Sequence, residues 1–157
     1  MSRIRIETDI RAPLETCFDL ARSVDAHIAS TRATAERAVA GVTRGLLALG
    51  DSVTWRARHL GINWELTSRI TAFDRPTHFR DEMTRGVFTR LVHDHYFEPS
   101  PNGTRMIDEF DFTAPLGLLG VVADRLFLAR YMRQFLETRA RALKQFAESG
   151  DVGARTG

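Results

Sequence analysis

The feature that most constrains this chain is a change of period. From Ala35 to Pro115, apolar and polar residues alternate with the period of two of a half-buried strand, and turn residues interrupt the alternation repeatedly. Six strand-like segments result, at residues 35–43, 51–59, 62–74, 78–85, 89–98 and 104–113. The breaks fall at 45–50, at Gly61, at Asp74-Arg75-Pro76, at Gly86 and at the 99–103 loop, each with a steric reason to bend. After Pro115 the period becomes helical. Leu128, Tyr131, Met132, Phe135, Leu136, Ala140, Ala142, Leu143, Phe146 and Ala147 cover one half of a helical wheel, opposite Arg130, Arg133, Gln134, Glu137, Thr138, Arg141, Lys144 and Gln145. A helix of about 25 residues is about 38 Å long, enough to cross roughly seven strands spaced about 4.8 Å apart.

Upstream of the meander, Ile4, Ile6, Thr8 and Ile10 alternate with charged residues, which predicts a first strand over 3–11. Pro13 can start a helix in which Leu14, Cys17, Phe18 and Ala21 share a face, and a second short helix fits 24–30 with Asp25 or Ser23 as N-cap. The predicted class is therefore α+β, in the order β-α-α-β6-α. A single sheet with one long helix can bury its apolar face only by curling around that helix. A curved sheet and a straight helix touch along part of their length, so a pocket lined by inward side chains is expected between them.

Composition excludes several functions. With 22 basic and 20 acidic side chains, a net charge of +2 is too small to neutralise many phosphates, so no nucleic-acid partner is expected. Cys17 is the only cysteine, which rules out an intramolecular disulfide or a multi-cysteine zinc site and fits a reducing compartment. Residues 1–11 lack the apolar stretch of a signal peptide, and no run approaches a membrane span, so a cytoplasmic protein without stable membrane insertion is expected. A single ligand-binding domain over 1–148 is expected, with 149–157 as a Gly-rich flexible tail.

Several local stretches carry a resemblance: Leu49-Gly50-Asp51-Ser52-Val53-Thr54-Trp55, Phe79-x-Asp81 before Gly86, His93-x-His95-x-Phe97, Gly103-Thr104-x-Met106-x-Asp108, and Pro115-x-Gly117. With the element order, they resemble the START-like superfamily, also called SRPBCC or birch-pollen-allergen-like, and within it the bacterial polyketide cyclase/dehydrase-like branch. The resemblance spans about 3–148 and implies a helix-grip fold, a curved seven-stranded antiparallel sheet wrapped around a long C-terminal helix. Members of that superfamily range from passive carriers of lipids, quinones or hormones to aromatase/cyclases. No single catalytic motif unites them, so the fold alone supplies no reaction.

The inward face, taken in each strand as the more apolar one, holds Val53, Trp55, Ala57, Ile62, Trp64, Leu66, Ile70, Phe79, Met83, Leu91, Phe97, Met106, Phe110 and Phe112. Trp55, Trp64, Leu66, Phe79, Met83, Leu91, Phe97, Met106 and Phe110 are the expected pocket wall. Polar residues of the same parity stand out: His59, Asp81, His93, His95 and Asp108, with Arg139 near the centre of the apolar half of the last helix. Counting across the 99–103 loop places His93 opposite Asp108, and counting across Gly86-Val87 places Asp81 opposite or diagonal to His93. The expected cluster is a row Asp81, His93, Asp108, toward which Arg139 can reach, and His59 and Arg139 are further expected ligand contacts.

Such a row admits several functions. It can be a buried network that fixes the register of the strands. His93, His95 or Arg139 can bind the polar end of a mostly apolar guest, with a small hydrophobic molecule as partner. His93 or His95, held by Asp81 or Asp108, can act as general base in a cyclase or dehydratase. His93-x-His95 with a carboxylate is also a possible mononuclear metal donor set, although no metal or other cofactor is expected. A protein-interaction adaptor with a vestigial cavity, and a homodimer, are further expectations. The apolar, glycine-interrupted segment 116–122 is expected to line the pocket mouth and to move.

Overall fold

The computed structural model describes residues 1–114 and 122–150. Its elements are β1 (Ser2–Ile10), α1 (Leu14–Ala21), α2 (Val24–Ser30), a 3-10 turn (Arg32–Thr34), β2 (Arg37–Gly41), β3 (Ser52–His59), β4 (Ile62–Asp74), β5 (His78–Arg85), β6 (Arg90–Ser100), β7 (Gly103–Thr113) and α3 (Val122–Ser149). The strands form one seven-stranded antiparallel sheet in the order β1-β7-β6-β5-β4-β3-β2. β2 to β7 are a plain meander, and β1 closes the far edge against β7, so α1 and α2 carry the chain from one edge to the other. This is the α+β helix-grip architecture expected from the alternating segments and the terminal helix.

Local chemistry explains most boundaries. Ser23 caps α2 by accepting a hydrogen bond from the Ala26 amide at 3.1 Å. β2 is shorter than the 35–43 segment, and at its start the 3-10 turn closes on Ala35 in the left-handed region (φ 50°), which is not strand backbone. α3 buries Leu128, Met132, Leu136, Ala140 and Leu143 at spacings of three and four. Phe18 of α1 is fully buried and meets Phe73, Phe79 and Phe97 edge-on with ring centroids 5.3, 5.4 and 5.3 Å away. This short helix plugs the space under α3 at the end of the sheet where the β4–β5 and β6–β7 turns lie.

Two details correct the sequence reading. The hairpin between β6 and β7 turns on Pro101 and Asn102 alone, with Ser100 opposite Gly103, so the strands run further than the five-residue loop allows. Gly103 is required there: at φ 145° its backbone passes so close to β1 that a Cβ would lie 2.4 Å from the Ile10 carbonyl oxygen. The register consequently shifts by two, and Asp108 pairs with His95 while His93 pairs with Phe110. A shift of two preserves parity, so the inward set survives. Ile62 is the other correction. It lies at the tip of the β3–β4 hairpin, where no layer covers it, and is 61% exposed. Residues 116–121 of the expected mobile segment and 151–157 of the expected tail lie outside the described residues.

Candidate functional site

Between α3 and the inner face of β3 to β7 lies a cavity with two chambers. The larger, of about 120 Å³, is walled by Trp55, Ala57, Trp64, Leu66, Val87, Phe88, Leu91, Phe110, Met132, Phe135 and Leu136. Its polar lining is His27, Glu36, His59, Asp81, His93, Tyr131 and Arg139. The smaller, of about 50 Å³, lies beside α1 and α2 and shares His27, Trp55, Asp81, His93 and Arg139, adding Phe79 and His95. Of the expected wall, Phe97 and Met106 line neither chamber. They are buried in the core at 2% and 1% exposure, Phe97 packing edge-on against Phe18 of α1. Met83 also lines neither and lies under Gly86, where its Sδ would be 2.6 Å from an added Cβ.

The β6–β7 ladder builds the deepest polar cluster. Asp108 Oδ1 is 2.9 Å from His93 Nε2, diagonally across the ladder, and 2.9 Å from His95 Nδ1, directly opposite. Only the first contact has hydrogen-bond geometry; the buried His95 Nδ1 has no hydrogen-bond partner. Burial opposes ionisation of Asp108, but the two imidazoles outweigh it and hold the carboxyl far below the usual carboxylate range. An ionised carboxylate only accepts, so His93 donates its Nε2–H and keeps Nδ1 for another partner. Burial first, then the neighbouring His93, push His95 down to about 3, so it is a neutral ring, stacked on Phe79 at 4.2 Å. Among the described residues, His93, His95 and Asp108 are also the trio whose donor atoms lie close enough to share a metal ion, within 4.8 Å of one another.

Asp81 pairs with His93 across β5 and β6, as the sequence suggested, but makes no hydrogen bond to it. Its Oδ1 is buried and unpartnered, as is Ser68 Oγ. Burial is the dominant influence on the Asp81 carboxyl and pushes it up. Arg139 is buried at 7% exposure and does not reach Asp108; among the described residues its one hydrogen bond runs from Nη2 to the Ala21 carbonyl at 3.3 Å, and Nε is unpartnered.

A second network was not anticipated. Glu36, in the coil before β2, is 8% exposed and sits between two imidazoles. His27 Nε2 makes a short hydrogen bond to Glu36 Oε2, while His59 Nε2 is 3.6 Å from Oε1. His59 Nδ1 is in turn 2.8 Å from the Tyr131 hydroxyl on α3. Burial opposes the Glu36 charge, yet His27 and then His59 pull its carboxyl down to about 2. Burial and the Glu36 charge push the Tyr131 hydroxyl up, so it remains a neutral phenol. His27 also stacks on Trp55 at 4.0 Å. Of this network only His59 carried a strand-parity signal. Glu36 lies in the 35–43 segment, whose alternation picks out no inward face, His27 is one polar residue on a short helix, and Tyr131 reads as ordinary core.

Residues 1–148 match a protein family described as polyketide cyclase/dehydrase and lipid transport. The chain belongs to this family. Its fold is similar to that of several solved structures. TTHA0849 from Thermus thermophilus superposes with a TM-score of 0.79 at 18% identity, covering 96% of this chain and 99% of that one. A START superfamily protein from Mycobacterium smegmatis gives 0.72 at 14%, covering 95% and 99%. Ara h 8.0201 gives 0.66 at 14%, covering 94% and 98%. At these identities the likeness is one of fold. No curated protein matches the sequence. Among the described residues no helix is long and apolar enough to cross a membrane.

Proposed function

We propose that the chain binds a small apolar or aromatic molecule in the cavity between sheet and α3. The observation that carries this reading is the aromatic and aliphatic chamber of about 120 Å³ whose lining includes His27, Glu36, His59, Asp81, His93 and Arg139. Ligand sites have that composition, an apolar wall with a few placed polar groups. A cavity left over from poor packing has no reason to gather Asp81, His93, Arg139, Glu36 and His59. The family description, which joins cyclases with lipid transport, is consistent with it. Native mass spectrometry of gently purified protein is expected to show a retained small molecule that denaturation releases. Protein from several hosts that is always empty, and that gives no thermal shift with a panel of single-ring and two-ring apolar compounds, would count against it.

One geometry favours a second reading, a cyclase or dehydratase. His93 lines both chambers and is oriented by Asp108 at 2.9 Å, which leaves Nδ1 as the nitrogen able to take a proton next to a substrate carbonyl. Under that reading His93→Gln abolishes turnover of a polyketide-like substrate while its binding persists. A variant that binds and turns over normally removes His93 from the chemistry. One that loses most of its thermal stability assigns His93 a structural part.

A further inference from the structure

Resting on the reading of the cavity as a ligand site, we propose that its guest is a single-ring aromatic carboxylate, with the anionic head on Arg139 in the small chamber and the ring in the aromatic one. Among the described residues, the Arg139 guanidinium has one hydrogen-bond partner, at a long distance. Its guanidinium offers five N–H donors, of which one reaches the Ala21 carbonyl at 3.3 Å while Nε–H has no acceptor. Among the described residues no carboxylate oxygen lies within the 4.0 Å of an ion pair. The other buried carboxylates of the cavity are already engaged: Asp108 lies between His93 and His95, and Glu36 between His27 and His59. A buried charge without a counter-ion is costly, and an incoming carboxylate supplies both the charge and the acceptor pair that a guanidinium fork matches.

The remaining groups suit the same head. Asp81 faces the same chamber with Oδ1 unpartnered, and burial favours its neutral form, which donates an O–H where an ionised Asp81 would repel an anion. Size limits the rest of the guest. The chambers measure about 120 and 50 Å³, and an apolar cavity of about 150 Å³ accommodates benzene. One ring with a compact head group fits that space, and the wall over it is Trp55, Trp64, Phe88 and Phe110.

The test is calorimetric or NMR titration of the full chain with benzoate, benzamide and toluene at neutral pH. Benzoate is expected to bind at least tenfold more tightly than benzamide. Arg139→Met, uncharged and shorter, is expected to remove that preference while changing toluene binding less than threefold, and Arg139→Lys to retain part of it. Because the substitution deletes an unpaired buried charge, the Arg139→Met protein without ligand should melt no lower than the parent. If benzoate binds no better than benzamide, or if Arg139→Lys and Arg139→Met weaken benzoate and toluene alike, the anionic subsite is wrong and the apolar ligand site stands. If none of the three probes binds, the ligand site itself is wrong and the subsite falls with it.

Discussion

Glu36 is a carboxylate that pays for its burial only through its neighbours, and this makes it a measurable residue. Its carboxyl lies near 2 in the folded protein against an ordinary value of 4.5. A lowered carboxylate contributes stability above its unfolded value and loses it as pH falls toward the folded one. Glu36 therefore contributes about 3 kcal/mol at neutral pH that disappears between about pH 5 and pH 2. His95 acts earlier in the same titration. Its folded value near 3 lies below the ordinary 6.5, so the folded state resists a proton that the unfolded chain takes up, and stability begins to fall below about pH 6.5. Urea unfolding against pH should show a decline starting near 6.5 that steepens below about 4.5. Glu36→Gln should flatten only the second part, since Asp108 and His95 titrate in both proteins. An unchanged acid limb in Glu36→Gln would falsify the assigned pairing. Sequence could not single out this residue, because its partners lie on α2, β3 and, through His59, α3, with His59 and Tyr131 72 positions apart.

At the scale of elements, α1 is the part whose role exceeds its length. Its eight residues place Phe18, fully buried, against three other phenylalanines. Phe18→Ala is expected to cost about 3–5 kcal/mol in chemical denaturation, as large-to-small core changes do. It should also enlarge the small chamber, read as binding of a probe one ring larger than the parent accepts. A loss below about 1 kcal/mol would show that α1 does not plug the fold. Gly103→Ala tests the β6–β7 hairpin, since a Cβ there would meet the Ile10 carbonyl at 2.4 Å. It should lower stability by more than the roughly 1 kcal/mol that a glycine-to-alanine exchange is worth where the site is compatible. If Gly103→Ala melts at or above the parent, the close approach to β1 is not required. The strands and helices themselves were legible: β4 and β5 end where the alternation and the turn residues place them. The hairpin register was not, because Pro99-Ser100-Pro101-Asn102-Gly103 reads as a five-residue loop, whereas the ladder continues to Ser100 and only two residues turn.

For the whole molecule, the question is whether the space beneath α3 is a cavity or a core. Ala57 lines the larger chamber at 8% exposure. In a filled core Ala57→Leu would cost about 1–3 kcal/mol through overpacking. Over a real cavity it should leave the melting temperature within a few degrees while weakening an apolar guest at least tenfold, measured by differential scanning calorimetry and titration on the same protein. A strong loss of stability with unchanged binding would place the guest elsewhere. The amino-acid sequence by itself determined the class, the element order and which side of each strand faces inward, because these follow from local periodicity and turn chemistry, and parity survives a register slip of two. Only the tertiary structure decided which inward residues meet. It shared Asp108 between His93 and His95, left Arg139 with no carboxylate in ion-pair range among the described residues, brought Glu36 between His27 and His59, and withdrew Phe97 and Met106 from the cavity into the core. The physical reason is that electrostatics and packing act over a few ångströms in space, and the distances that matter here are set by a two-residue turn, by the plug of α1 and by the crossing of α3 over the sheet.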